Sequence, residues 1–450
     1  MKVQLTSFMT FVILGWVMSA CHGGDTRADA ANIGGRSPSI RPSDPGAAGA
    51  EDAASETTLS GSGDGAVVGG TGWGDMTDAR VDEDTSNAGG DSDEADAATS
   101  HASAGGMGGG RDASGGTAGS SMDGPTASAG TSGTASTSCP FPSSFKWTSS
   151  GPLAEPKSPP GHNFACLKDF TVVKWQNMFV VYATVYDTKS TYSGVNIDFT
   201  DWSKMATADQ IWMETTPAGA TVSPSLIYLT PKNQWVLTFQ WGFKYATSSD
   251  PTQPSKWSAP KSLFASRVAN SETGPMDPTV ICDSARCYLF FTASNGNIYR
   301  SSMPIDNFPS TFTSHETIWA ESNKYDAFEA VQVYAVKGTG KYLMVVGAIG
   351  PSGQRYFRAF SADSLGGKFT PIPGASSEAK PFAGKNNVTF SGTPWTNDIG
   401  QGDIVRENPS ETQTIDPCNL QFLYQGRDPT KVSSNDGEMP YRPGLLTLVR

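Results

Sequence analysis

The chain has 450 residues, is 17% charged and 10% aromatic, and carries a formal net charge of −12 at pH 7. The charge is one-sided: residues 1–138 hold 6 Lys+Arg against 18 Asp+Glu, whereas residues 139–450 hold 26 of each. A neutral larger part without a basic stripe argues against a nucleic-acid partner, and four scattered histidines (22, 101, 162 and 315) without zinc-type spacing argue against a zinc centre.

In chain order, "MKVQLTSFMTFVILGWVMSA" has one lysine followed by an apolar run of about a dozen residues, the size of a signal-peptide core and too short to span a bilayer. It ends at "VMSAC", which resembles the lipobox of bacterial lipoproteins, with Cys21 as the lipidated residue. Methionine stands where leucine is usual, so an ordinary secretory cut is the alternative. Either way the protein is expected to leave the cytoplasm, as a bacterial cell-surface or outer-membrane lipoprotein or as a secreted protein. Contact with a membrane would be through that lipid alone.

Residues 22–138 consist largely of Gly, Ala, Ser, Thr and Asp, and too little apolar surface is present to offset the entropy of ordering. A flexible tether is expected there, with a mean span of roughly 60 Å. If Cys21 takes lipid, five cysteines remain. Cys282 and Cys287 flank "DSAR" between two apolar runs and suit a cross-hairpin bridge. Cys139 and Cys418 lie near the two ends of the remaining domain and would close a very long loop, leaving Cys166 as a free thiol.

From Cys139 onward, short runs of aromatic and β-branched residues alternate with Gly, Pro, Asn and Asp, the mark of an all-β chain. Four segments repeat a strand, a turn and a more apolar strand: "DFTVVKWQNMFVVYAT" from Asp169, "PSLIYLTPKNQWVLTFQ" from Pro224, "DPTVICDSARCYLFFTA" from Asp277 and "EAVQVYAVKGTGKYLMVVGA" from Glu329. Their starts are 55, 53 and 52 residues apart, and a looser fifth copy begins at Asp403. This period predicts a five-bladed β-propeller over 139–450; a β-sandwich would not give such regular spacing. In a propeller the first strand of each blade lines the central channel, so Asp169, Asp277 and Glu329 are expected at equivalent positions around one mouth. Like charges placed together suit acid–base chemistry, with calcium ligation or hydrogen-bonded structural acids as the alternatives.

The motifs "CLKDFTVV", "TFQWG", "GPMDPTVI", "AFEAVQVY", "RYFRAF", "WTNDI", "TIDPCNLQFLYQG" and "YRPGLLTLVR" resemble, in order, those of the α-L-arabinofuranosidases of glycoside hydrolase family 62. The resemblance covers 139–450. It implies a monomeric, inverting, cofactor-free hydrolase that removes arabinofuranosyl side groups from arabinoxylan. By motif, Asp169 is implied as general base, Glu329 as general acid, and Asp277 as the residue that orients the sugar and tunes the acid. Lys168, Gln240, Trp241, Tyr356 and Arg358 are implied at the sugar; the plainer alternatives are ion pairing for Lys168 and blade packing for Trp241. Two departures stand out. Gln401 replaces a histidine that the family associates with a channel calcium, leaving a structural calcium in question. Asp436 and Gly437 replace a substrate-contacting Tyr-Asn pair, which puts backbone binding in question. An arabinan-active relative of family 43 and a non-catalytic sugar-binding propeller remain as competing readings.

Overall fold

The computed structural model describes residues 139–450; the expected leader (1–20), the lipidation site Cys21 and the tether (22–138) lie outside the described residues. Five antiparallel blades follow one another along the chain. Blade I comprises Phe164–Trp175, Met178–Asp187, Tyr192–Phe199 and Ile211–Trp212. Blade II comprises Val222–Leu229, Gln234–Gln240, Lys244–Ser248 and Lys261–Ser262. Blade III comprises Met276–Cys282, Arg286–Thr292, Asn297–Pro304 and Glu316–Ala320. Blade IV comprises Glu329–Val336, Lys341–Ile349, Arg355–Ala362 and Thr370–Pro371.

Blade V closes the ring. Its inner strands Gly400–Ile404, Gln421–Gly426 and Arg442–Leu448 come from the end of the chain, and Trp147–Ser149 from the start of the domain pairs antiparallel with the last of them. The Cys139–Cys418 disulfide bridges the same two ends, Cys282–Cys287 ties the first hairpin of blade III, and Cys166 is a buried free thiol.

Packing explains why the inner strands read as unbroken apolar pairs. Each is buried on both faces, as a strand sandwiched between neighbouring sheets must be. In blade I, Val172 enters the core shared with blade V and Val173 the core shared with blade II. Val280 and Ile281 divide between blades II and IV, and Val333 and Tyr334 between blades III and V. Five apolar cores thus fill the five interfaces between blades. Each fully buried Val, Leu or Ile contributes about 1.5–3 kcal/mol.

The far end of the channel is closed. After the inner strand of blade V, residues 405–415 run beneath the ring: Tyr228 N–H donates to the Pro409 carbonyl at 2.7 Å, Cys282 N–H to Glu411 at 2.8 Å, and Lys337 N–H to Ile415 at 3.1 Å. Arg406 rises from this segment with its side chain fully buried, donating to the Leu226 and Val172 carbonyls and pairing with Asp403 at 3.0 Å. Asp403 also accepts from the Val172 N–H and the Tyr334 hydroxyl.

Candidate active site

One backbone irregularity recurs near the open end of the inner strands. The register slips around Asp169, Ser223, Asp277, Ala330 and Gln401, one residue per blade. The first four have left-handed φ of 53°, 47°, 57° and 59°. A bulge of this kind turns a side chain out of the strand's alternation and re-aims it. The repeat therefore holds with one correction. Asp169 and Asp277 are true equivalents, but Glu329 precedes the equivalent Ala330 by one residue, and Asp169 lies inside its strand rather than at the start.

Side chains from neighbouring blades cap these bulges. Gln425 Oε1 accepts from the Asp169 N–H at 2.8 Å, Thr184 Oγ1 from Ser223 at 2.8 Å, and Gln240 Oε1 from Asp277 at 2.9 Å. At blade IV the pattern changes: the Ala330 N–H donates to Asp277 Oδ2 at 2.7 Å, and Thr292, on the strand of blade III equivalent to those of Thr184 and Gln240, has a buried hydroxyl without a partner. Asp277 Oδ1 accepts from the Ser223 hydroxyl at 2.7 Å and from Gln401 Nε2 at 3.2 Å. Asp277 thus joins blades II, IV and V and fixes the backbone directly after Glu329.

The two remaining acids differ in environment. Burial pushes the Asp169 carboxyl up to about 7; Lys168 opposes that shift, Asp277 adds to it, a hydrogen bond with Thr184 lowers it, and Glu329 raises it again. Glu329 is raised by burial, opposed by Arg355 and seconded by Asp277. Contacts gather the three acids at one mouth: Asp277 accepts from the N–H directly after Glu329, and Lys168, next to Asp169, is linked to Glu329 through Asp436 and Arg355. Arg355 Nε donates to Glu329 at 2.6 Å, its Nη1 to the Tyr441 hydroxyl at 2.8 Å, and its backbone N–H to Asp398 at 2.6 Å. Lys168 Nζ donates to Asp436 at 2.7 Å and lies 4.9 Å from the Tyr192 ring centre. Burial disfavours its ammonium form, but Asp436 and Asp169 reverse that effect and hold its pKa well above the usual lysine value. Cys166 is pushed up to about 12, chiefly by burial, and so remains an unreactive thiol.

Of the sugar-contact candidates, Trp241 stands 45% exposed at the rim with its ring 5.3 Å from Tyr192. Gln240 is buried and occupied with Asp277. Tyr356 and Arg358 do not bond to the acids: Tyr356 is buried, and Arg358 pairs with Glu321 at 2.7 Å and donates to the carbonyls of Asp326 and Ser376. Arg355, three residues earlier in the same strand, is the arginine that meets Glu329. It heads the strand at the open end, opposite Ile349, and that position is the signal by which it could have been singled out. Among the described residues no group of three or more His, Cys, Asp or Glu is disposed to hold a metal ion. Gln401 turns an amide N–H toward Asp277 and Ser223.

Five blades around a floored channel, with unequal carboxyls gathered at its one open mouth, define a propeller with a glycosidase-type site. Residues 146–447 match the sequence profile of glycosyl hydrolase family 62, and the chain belongs to that family. It is 39% identical over 319 residues to α-L-arabinofuranosidase C of Cellvibrio japonicus, which covers 70% of this chain and 49% of that protein, so the chain spans about half the length of this curated relative. Among solved structures, the catalytic domain of a Coprinopsis cinerea family 62 α-L-arabinofuranosidase has 37% identity and a TM-score of 0.65, covering 68% of this chain and 98% of its own. A Podospora anserina α-L-arabinofuranosidase in complex with cellotriose has 34% identity and a TM-score of 0.65, covering 69% and 98%. A family 62 hydrolase in complex with xylotriose has 33% identity and a TM-score of 0.64, covering 68% and 98%.

Proposed function

We propose that residues 139–450 form an inverting α-L-arabinofuranosidase that releases single arabinofuranosyl groups from arabinoxylan. The observation that carries this is the convergence of Asp169 and Glu329 from different blades, linked through Lys168, Asp436 and Arg355 and through the Asp277–Ala330 bond, with burial raising both carboxyls. Complexes of two related structures with xylotriose and cellotriose support a β-linked backbone lying across the mouth.

The chemistry is a single displacement. Asp169, ionised, takes a proton from a water whose oxygen bonds to the anomeric carbon from one side. The bond to the xylose oxygen breaks on the other side, and Glu329 gives its proton to that oxygen. The products are arabinose of inverted configuration and a xylan unit bearing a free hydroxyl; Asp169 then loses and Glu329 regains a proton through solvent. Before donating, Glu329 must exchange its Arg355 contact for a proton, and the same guanidinium has Asp398 at 3.8 Å and Asp436 at 3.7 Å to turn to.

Proton NMR of arabinose release from cereal arabinoxylan, with linear arabinan and an inert β-glucan in parallel, tests this. Arabinoxylan should yield arabinose whose first anomer is the inverted one. Release from arabinan alone would favour the arabinan-active reading, and no release from any substrate a binding protein. Asp169→Ala and Glu329→Ala should each lower turnover by about 10²–10⁴-fold or more with unchanged circular dichroism. Wild-type rates in either variant would remove the assignment. We also infer export and lipid attachment at Cys21; the two disulfides support an oxidising compartment. Cys21→Ser should move the protein from the membrane to the soluble fraction.

A further inference from the structure

The mouth contains a fourth carboxylate that the displacement mechanism does not use. Asp436 comes from the loop between Gln421–Gly426 and Arg442–Leu448 of blade V. The loop is built to hold it in place. The Asn435 side chain accepts from the Gly437 N–H at 3.0 Å and donates to the Tyr186 hydroxyl at 2.9 Å. Gly437 lies so close to the Tyr186 ring that an added Cβ would come within 2.4 Å of it. One Asp436 oxygen accepts from Lys168 at 2.7 Å and faces the Tyr192 hydroxyl at 3.5 Å; the other faces Arg355 Nη2 at 3.7 Å. Its own carboxyl is pushed up by burial but pulled down to about 2 by Lys168 and Arg355.

We propose that Asp436 is a positioning residue for the proposed reaction: it bridges Lys168 and Arg355, and so offsets the positive charge of each beside the base Asp169 and the acid Glu329. The geometry requires such a brace. Lys168 adjoins Asp169 in the chain, and Arg355 touches Glu329. A cation this close lowers a carboxyl's pKa by roughly one to three units, which would leave Glu329 without the proton it must donate. Asp436 sits between the two cations and draws on both. The other ionisable groups facing it are Cys166 on the inner strand of blade I, Tyr192 on its third strand, Glu329 on blade IV, and Tyr441 on blade V, with Asp398 behind Arg355. None of these is a cation, so Lys168 and Arg355 are the groups that removal of Asp436 releases.

The sign follows for both limbs of the pH profile. Without Asp436, Lys168 turns wholly to Asp169 and Arg355 to Glu329, and a like charge is also removed from beside Glu329. Both carboxyls then titrate at lower pH. Because this rests on the proposed arabinofuranosidase activity, the test pairs a kinetic measurement with one that needs no turnover. The pH dependence of kcat/KM for arabinose release would be measured for the full-length wild type, Asp436→Asn and Lys168→Met. In parallel, the Asp169 carboxyl would be titrated by ¹³C NMR of aspartate-labelled protein, its signal assigned with Asp169→Asn. Asp436→Asn should shift both limbs and the Asp169 midpoint down by about one unit, and Lys168→Met should shift the Asp169 midpoint up. Shifts of opposite sign distinguish a charge brace from general damage to the loop, which would move both variants alike. An Asp169 midpoint unchanged in Asp436→Asn, or moving the same way in both variants, overturns the proposal. Should Asp436→Asn fail to fold, Lys168→Met alone decides: an unmoved or lowered midpoint overturns the brace. If the wild type releases no arabinose, the enzymatic assignment fails, and the carboxyl titration still decides the role of Asp436.

Discussion

Asp169 holds a charge at a cost to the fold. Its carboxyl goes from an ordinary 3.8 to about 7 in the folded protein, so the native state binds that proton more tightly than the unfolded chain does. Stability on this account is full below about pH 4 and falls as pH rises through 7. Asp169→Asn, which never ionises, should therefore be more stable than wild type above pH 7, by up to about 4 kcal/mol, with the difference vanishing near pH 4 in thermal melts. Loss of Asp277, by contrast, should destabilise the fold through its hydrogen bonds. Its removal in Asp277→Ala orphans the Ala330 N–H, and each buried donor left unmade costs about 1–3 kcal/mol, so melting temperature and turnover should fall together. The carboxyl trio was legible because each member sits in a repeated inner-strand segment. The place of Arg355 at the head of its strand marks it for the mouth, but its pairing with Glu329, and that of Asp436 with Lys168, were not assignable in advance, because only the ring brings those places together.

At the scale of strands and loops, the blade period was visible because apolar doublets such as Val172–Val173 and Val280–Ile281 supply one residue to each of two adjacent cores. The bulges were not, since a left-handed residue at Asp169, Ser223, Asp277 or Ala330 leaves no shared residue type; the polar caps that permit it come from another blade. Trp147–Ser149, only three residues long, carries no periodicity at all. Close packing at the blade V inner strand gives a sharp test. A Cβ on Gly402 would lie 1.9 Å from the Leu423 carbonyl oxygen, so Gly402→Ala must spread two paired strands. It should lower stability by about 1–3 kcal/mol or more, read as a drop in the urea midpoint, whereas alanine at the open Gly338 turn, where φ is 75°, should cost only about 1 kcal/mol.

Across the whole molecule, the seam in blade V is where the ring can open. Cys139–Cys418 spans 279 residues across it, and a bridge closing so long a loop typically contributes about 2–5 kcal/mol. Cys139→Ser with Cys418→Ser should lower the melting temperature by several degrees, and loss of Cys282–Cys287, which encloses a five-residue separation, by less. The floor laid by residues 405–415 has a further consequence for how such an enzyme turns over. A cul-de-sac has one doorway, so the liberated sugar must back out along the route by which it arrived, past whatever polymer still lies over the threshold. Free arabinose in the surroundings queues at that same door and should compete with incoming side groups, and a chain that lingers on the rim delays its own next cut.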